Sequence, residues 1–220
     1  MGSNVFGTPI TQEMLKSMPE YHGTKDKDIN AHNRAVVALE MKNAEGKDTN
    51  ARKFLKALEP RFGLDTMTMC TIYNATGDPL TLVDAHSWTG RVCESPYPMM
   101  ILNGQWGAFL HGKHADGHSS EAVVVYKGNN LHWVLSFSNL RTNVTNKVYT
   151  EISESRHYDD QEWKNIKNSL DKGKTTHKSE GNNSETVDRA LMFASIGDIS
   201  ICEVEAILTT PKALSDPGYH

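Results

Sequence analysis

Hydrophobic and polar positions alternate through the middle of this chain, most clearly in residues 131–137. There Leu131, Trp133 and Phe137 fall on one face, and His132 and Ser136 fall on the other. A period of two is what a half-buried strand requires. Seven strands are predicted at 67–76, 80–88, 99–102, 105–113, 121–127, 131–138 and 147–152. Short strands separated by glycine- and asparagine-rich turns predict an antiparallel sandwich or barrel.

Helical spacing of apolar residues marks both sides of this strand region. Residues 30–44 carry a broad apolar arc that predicts a helix buried on two sides. Residues 48–62 form a second amphipathic segment, which Pro60 and Gly63 should close, so the two predict a helical hairpin. After the strands, 159–170 predicts a helix opened by Asp159 as its cap. Residues 199–208 then alternate again, and this predicts that a sequence-distant strand closes the sheet.

Together these segments predict a mainly β fold with helical additions. Residues 1–64 form an N-terminal helical extension packed on the sheet, and residues 65–210 form the sandwich domain. The sandwich contains the inserted helix 159–170 and a polar stretch at 171–186, which holds no apolar run and should be a mobile surface loop. Residues 211–220 are predicted to be a loose tail.

Charge and composition narrow the range of partners. The chain has 220 residues, 23 Lys and Arg, 27 Asp and Glu, and a net charge of -4. A concentrated basic face is therefore not expected, which argues against nucleic-acid binding. No run approaches the roughly 20 apolar residues of a membrane span, and the N-terminus lacks a signal peptide pattern. Three cysteines without metal spacing favour a reducing, cytoplasmic setting.

The densest group of metal-binding side chains is the segment His111-Gly112-Lys113-His114-Ala115-Asp116-Gly117-His118. His111, His114 and His118 are weak candidates for zinc or copper ligands. Their spacing fits no single helical face, and a polar hairpin tip explains the segment equally well. No cofactor is predicted, and no catalytic residue is assigned, because nucleophile elbows, phosphate loops and His-Glu-x-x-His motifs are missing from the sequence. The sequence therefore leans away from an enzyme.

Aromatic side chains are frequent in the strand region and in the helix after it. Most should belong to the core, because they supply large apolar areas. A few could instead line a pocket for a sugar face, a choline-like cation or a lipid interface. The proline-rich segment 95–98 cannot be a central strand, so Tyr97 is the aromatic most expected to be exposed.

Five segments resemble the plant jasmonate-induced proteins of about 23 kDa, a size set by chains of this length. They are NVFGTPIT (4–11), ALEMKNAEGK (38–47), IYNATG (72–77), SPYP (95–98) and NGQWGAFLH (103–111). The resemblance covers essentially the whole chain. It implies a plant stress-responsive protein without a defined biochemical activity.

A second resemblance, to the actinoporin-like β-sandwich, implies more about how the protein would bind a ligand. It rests on Asn74-x-Thr76-Gly77, Trp88, the strand containing Phe137-Ser138, and the later helix with Trp163. That fold implies a headgroup or sugar pocket beside a Phe-Ser-Val-Pro strand and a tyrosine-rich helix; here Leu140 replaces the proline. The ligand-binding residues implied are Trp88, Tyr97, Ser138, Tyr149, Tyr158 and Trp163.

The sequence thus predicts a non-enzymatic protein of plant stress or defence that recognises a lipid headgroup or a glycan. Peripheral membrane contact is compatible with this function. Two alternatives stay open. One is an enzyme or metal protein in which His111, His114 and His118, or His86 with one of them, converge in a cleft. The other is a protein-interaction module that uses the helical hairpin, for example to form a homodimer.

Overall fold

A computed structural model describes residues 4–140, 145–173 and 190–215 of the chain. Two β-sheets pack face to face and form a sandwich. The first sheet has the order β1-β6-β2-β11-β10, with β4 also paired to β6, and the second has the order β5-β3-β7-β8-β9. The strands are β1 Val5–Phe6, β2 Met67–Asn74, β3 Leu80–Thr89, β4 Arg91–Val92, β5 Met100–Ile101, β6 Trp106–Gly112, β7 Ser119–Gly128, β8 Leu131–Leu140, β9 Lys147–Glu154, β10 Leu191–Ile196 and β11 Ile201–Thr209.

Strand pairing confirms the predicted closure by a distant segment. β11 lies beside β2 in parallel register, with Val204 opposite Cys70, whereas the other pairings are antiparallel. The residues that alternate inward along β8 fill the space between the sheets. Trp133 and Phe137 are among the largest fully buried side chains of the described residues. The period-two pattern therefore predicted correctly which face of this strand points into the core.

The helices are α1 Gln12–Ser17, α2 Ala31–Glu40, α3 Lys47–Phe62, α4 Asp160–Asp171 and α5 Pro211–Leu214. Asn30 begins α2 with a reciprocal capping box, and Gly63 ends α3 in the left-handed conformation, with φ of 57°. Proline occurs at position 60 inside α3 without ending it, so the helix continues for two further residues, to Phe62.

The N-terminal helices share one hydrophobic cluster with the outer face of the first sheet. Leu15, Val37 and Leu55 pack in the same cluster as Met69 and Trp106. The Trp106 indole also donates a hydrogen bond to the carbonyl of Lys42, 3.0 Å away. The described part of segment 1–64 is thus joined to the sandwich by apolar packing. None of the described helices is long and apolar enough to span a bilayer.

The first residues of the predicted loose tail, 211–220, are helical rather than loose. Pro211–Leu214 forms the short helix α5, whose first turn is capped by the Thr210 hydroxyl. Ala213 is fully buried in the cluster that contains α2, because Pro211 at the first helical position starts a turn that directs Ala213 inward. The predicted mobile loop at 171–186 lies largely outside the described residues.

Candidate functional site

Five of the six candidate ligand-binding residues gather around α4 and the outer face of the second sheet. Strand register explains this: Val123 of β7 is opposite Ser136 of β8, which is opposite Tyr149 of β9. Ser138 is two residues from Ser136 on the same face. We call this region, made of Trp88, Ser138, Tyr149, Tyr158, Trp163 and their contacts, the α4 face.

The helix that covers this face follows directly from its sequence. Asp159 accepts hydrogen bonds from the backbone N–H groups of Gln161 and Glu162, both at 3.0 Å. Trp163, Ile166 and Leu170 then fall on one side of the helix. They form a cluster with three valines of the sheet, Val123, Val125 and Val134. Burial of this apolar stripe fixes α4 on the sheet.

Four aromatic rings form a continuous stack between α4 and the sheet. The Trp163 ring lies 5.4 Å from the His86 ring and 5.0 Å from the Tyr158 ring, measured between centroids. Tyr158 in turn stacks on His132 at 5.4 Å. Tyr158 and Trp163 are only 6% and 8% exposed. These two rings therefore anchor the helix and are not walls of an open pocket.

Charged groups surround the Tyr158 end of this stack. Arg156 forms ion pairs with Glu151 and Glu162, and its guanidinium lies 5.2 Å from the centre of the Tyr158 ring. The Tyr149 hydroxyl donates to Glu151 at 2.9 Å. Burial raises the pKa of both tyrosines, so both hydroxyls stay protonated at neutral pH.

Ser138 belongs to a polar network at the other end of α4. Its hydroxyl donates to the Glu121 carboxylate at 2.6 Å, and Lys167 of α4 lies 3.1 Å from the same carboxylate oxygen. The Lys167 ammonium is also 5.9 Å from the centre of the Trp88 ring. Burial lowers the pKa of Lys167, but hydrogen bonds to Asp171 and Glu121 outweigh it and the pKa is raised. Lys167 is thus held as a cation beside an indole.

Tyr97 lies apart from the other five candidates. Its half-buried ring packs against the core between the sheets, edge-on to Phe109 at 4.8 Å. Burial raises the pKa of Tyr97 to about 12. The expectation that Tyr97 is the exposed aromatic of this segment is therefore wrong. The exposed large hydrophobic side chains here are Met99 and Met100, at 65% and 49%.

The three histidines of the candidate metal cluster do not converge. His111 is fully buried, with Nδ1 2.8 Å from the Ser120 hydroxyl and Nε2 3.1 Å from the Ser87 hydroxyl. His114 and His118 are exposed in the β6–β7 connection. Burial lowers the pKa of His111 to about 3. Among the described residues, no group of three or more His, Cys, Asp or Glu is arranged to hold a metal ion.

Sequence reasoning missed three members of the α4 face: His86, His132 and Glu121. A signal was present for two of them. His132 lies on the outward face of the alternating strand 131–137, and His86 shares its face with Trp88 two residues later. Nothing local indicated that Glu121 would accept a hydrogen bond from Ser138, because that pairing depends on the register of β7 and β8.

These features, two packed sheets with a capped helix across one outer face, define an actinoporin-like β-sandwich. The crystal structure of the lipid binding protein Nakanori matches this chain with a TM-score of 0.80 and 25% sequence identity. The match covers 93% of this chain and 98% of that one. The fold predicted from the sequence is therefore confirmed.

Sequence comparison identifies the family. The Nakanori-like protein family matches residues 6–211, so the chain belongs to it. It is 40% identical to the 23 kDa jasmonate-induced protein of Hordeum vulgare over 167 residues, which are 72% of this chain and 76% of that protein. A jasmonate-induced protein homolog of Atriplex canescens is 32% identical over 142 residues, covering 58% of this chain and 75% of the relative. Both resemblances seen in the sequence are thus confirmed.

Proposed function

We propose that this chain is a stress-responsive protein that binds the zwitterionic headgroup of a lipid at one end of the α4 face. The binding site is the Trp88 patch, which consists of Trp88, Glu121 and Lys167. Support comes from the fold and family shared with Nakanori, whose description is that of a lipid binding protein. Induction by jasmonate is proposed from the relatives in Hordeum vulgare and Atriplex canescens.

One observation carries this proposal: among the tryptophan and tyrosine rings of the α4 face, Trp88 is the one that the fold leaves half-buried. Tyr149, Tyr158 and Trp163 are buried. An accessible indole attracts a quaternary ammonium through the negative face of its π system. Trp88 is also next to a lysine, which suits the phosphate of the same headgroup.

The charges around Trp88 are balanced, which favours a zwitterion over an anionic lipid. Lys167 is flanked by Glu121 and by Asp171, and the Lys147 ammonium donates to the backbone carbonyl of Asp171. The carboxylates of Glu121 and Asp171 would repel a strongly anionic lipid surface. Ser138 contributes indirectly in this arrangement. It is 2% exposed and holds Glu121 in place.

The other functions considered receive less support. An enzyme or metal site centred on His111 would need that side chain in a cleft with His114 or His118, and it lies in the core. A cytoplasmic location is proposed with the headgroup function. It rests on the three cysteines, which are free and buried as expected for a reducing compartment.

Co-sedimentation with lipid vesicles tests the headgroup proposal. The protein should bind phosphatidylcholine vesicles more tightly than phosphatidylglycerol vesicles. Trp88→Ala should weaken that binding about tenfold, the size of one cation–π contact. Met99→Ala is the matched control, because it removes an exposed apolar side chain outside the patch. Equal losses in both variants, or no binding to either vesicle type, would reject the proposal, and a glycan array would then be the next screen.

A further inference from the structure

A cavity lies at the end of the sandwich opposite the Trp88 patch. Its volume is about 740 Å³, within the range of small-molecule sites. Leu131, at the start of β8, lines it, whereas Ser138 of the α4 face is seven residues further along the same strand. At about 3.3 Å per residue the two lie roughly 23 Å apart. A ligand in this cavity would therefore not touch the Trp88 patch.

Five chain segments enclose the cavity. They are the start of α2, the β2–β3 turn, the β7–β8 turn, the end of β9 and the junction of β11 with α5. The side chains on its wall are mostly small and polar, and none is a phenylalanine, tyrosine or tryptophan. The lining residues are Ala31, His32, Thr76, Asn129, Asn130, Leu131, Glu154, Ser155, Thr210 and Lys212.

The wall formed by α2 and the β2–β3 turn is held rigidly. The Arg34 side chain donates to the carbonyl of Gly77 at 2.8 Å and pairs with Asp78 at 3.0 Å. Gly77 has φ of 89°, and a Cβ atom there would lie 2.1 Å from the carbonyl oxygen of Ala31. The close approach of the two segments therefore depends on glycine.

The remaining walls are fixed by tight local geometry. Asn129 and Asn130 both have positive φ, 54° and 59°, as the two central residues of a tight hairpin turn require. The Ser155 hydroxyl is 3.0 Å from Nε2 of His132. Thr210 accepts a hydrogen bond from the backbone of Ala213 at 3.1 Å. The cavity is thus preformed, so a ligand would meet little reorganisation cost.

Two opposite charges on this cavity have no counter-charge among the residues that the structure describes. Glu154 and Lys212 are both exposed, and neither forms an ion pair or a side-chain hydrogen bond with another residue in the described parts of the chain. The asparagine amides beside them can both donate and accept hydrogen bonds. The lining therefore offers one site for a cation, at Glu154, and one site for an anion, at Lys212. Neutral polar side chains make up most of the remaining wall.

We propose that this cavity binds a small zwitterion with a primary ammonium and a carboxylate, the chemistry of an amino acid or a short peptide. Lys212 receives the carboxylate and Glu154 receives the ammonium. A quaternary ammonium such as choline is disfavoured, because it is recognised by aromatic faces and no aromatic carbocycle lines the cavity. A polyanion is disfavoured because Lys212 is the one lysine or arginine among the lining residues.

Ligand-observed NMR with purified protein tests this proposal. The probes are L-alanine, dialanine and trialanine, which separate an amino acid from a peptide. N-acetylalanine lacks the ammonium, alaninamide lacks the carboxylate, and phosphocholine carries a quaternary ammonium. At least one of the three zwitterions should bind saturably, and either single-charge analogue of alanine should bind more weakly than alanine or not at all. If a peptide binds more tightly than alanine, its N-acetylated and C-amidated forms serve as the two single-charge analogues.

Two variants place the ligand in the cavity. Glu154→Gln and Lys212→Met should each weaken binding of the preferred zwitterion about tenfold, the usual effect of losing one hydrogen-bonded charge. Glu20→Gln and Lys56→Met remove exposed charges elsewhere and should have no effect. Both cavity variants should retain the parent melting temperature, since the replaced side chains are exposed.

The proposal is overturned if no zwitterion binds saturably up to about 10 mM. It is equally overturned if capped analogues bind as well as the zwitterions, or if the cavity variants behave like the controls. Trp88→Ala should leave this binding intact. The zwitterion site and the headgroup site can therefore fail independently of each other.

Discussion

Trp163 of α4 lies nearly parallel to Tyr158, with 5.0 Å between the ring centroids and 17° between the planes. Tyr158 precedes the helix and Trp163 is in its first turns, so the pair fixes where α4 begins on the sheet. His86 and His132 extend the stack to the strands on either side. The stack therefore explains why rings that the sequence suggested for ligand contact are buried.

Trp163→Ala should destabilise the protein by about 3–5 kcal/mol, because it removes a buried indole and leaves a cavity under α4. Lys164→Ala, an exposed neighbour on the same helix, should cost less than about 0.5 kcal/mol. Urea unfolding of the two variants measures the difference. Similar midpoints for both would mean that the stack does not hold the helix.

Ser138→Ala should cost about 2 kcal/mol, since it removes a hydrogen bond to the buried carboxylate of Glu121. Ser136→Ala is the matched control, because Ser136 is also buried on the same face of β8. Its hydroxyl donates to a neutral carbonyl, that of Tyr149, at 3.3 Å. Its loss should cost only about 1 kcal/mol. Equilibrium unfolding of the two variants measures both losses. A larger loss of stability in Ser136→Ala than in Ser138→Ala would contradict the hydrogen-bond network assigned to Ser138 and Glu121.

Gly77→Ala should destabilise the protein by more than about 2 kcal/mol, because it combines positive-φ strain with a clash against Ala31. Gly23→Ala isolates the strain alone. Gly23 has φ of 80°, and nothing lies within 4 Å of a Cβ placed there, so about 1 kcal/mol is expected. Thermal or urea unfolding of both variants provides the test. Equal costs would show that the turn can move away from α2.

His111 should make stability fall as the pH is lowered from about 6.5 towards 3. The folded imidazole has a pKa of about 3, against an ordinary value of 6.5. Between these values the unfolded chain binds the proton and the folded chain does not, so acidification favours unfolding. At pH 5 the expected loss from this group relative to pH 7 is about 2 kcal/mol.

The variant that tests this effect is His111→Gln, which keeps a polar side chain between Ser87 and Ser120. Its unfolding free energy should change less between pH 7 and pH 5 than that of the parent protein. His114→Gln, at an exposed position, should retain the parent dependence. If both variants keep the full dependence, the acid sensitivity comes from other groups, such as His132, whose pKa burial also lowers.

Some of the site could be predicted from local pattern alone. The alternation of 131–137 put Ser136 and His132 on the outer face, and Asp159 capped α4 as its position indicated. Other features depended on strand order. Tyr97 and Trp88 are both aromatics of the strand region, yet one lies between the sheets and the other beside α4. Local spacing carries no information about which layer covers a given ring.

The sequence by itself determined eight of the eleven described strands, the three longest helices and the sandwich class, because hydrophobic periodicity and turn residues act over short distances. Only the tertiary structure decided which aromatics remain accessible, and that His111 is drawn into the core away from His114 and His118. It also brought Glu154 and Lys212 to one cavity across 58 positions of the chain. Such juxtapositions arise from the packing of sheets and helices, which no single stretch of sequence encodes.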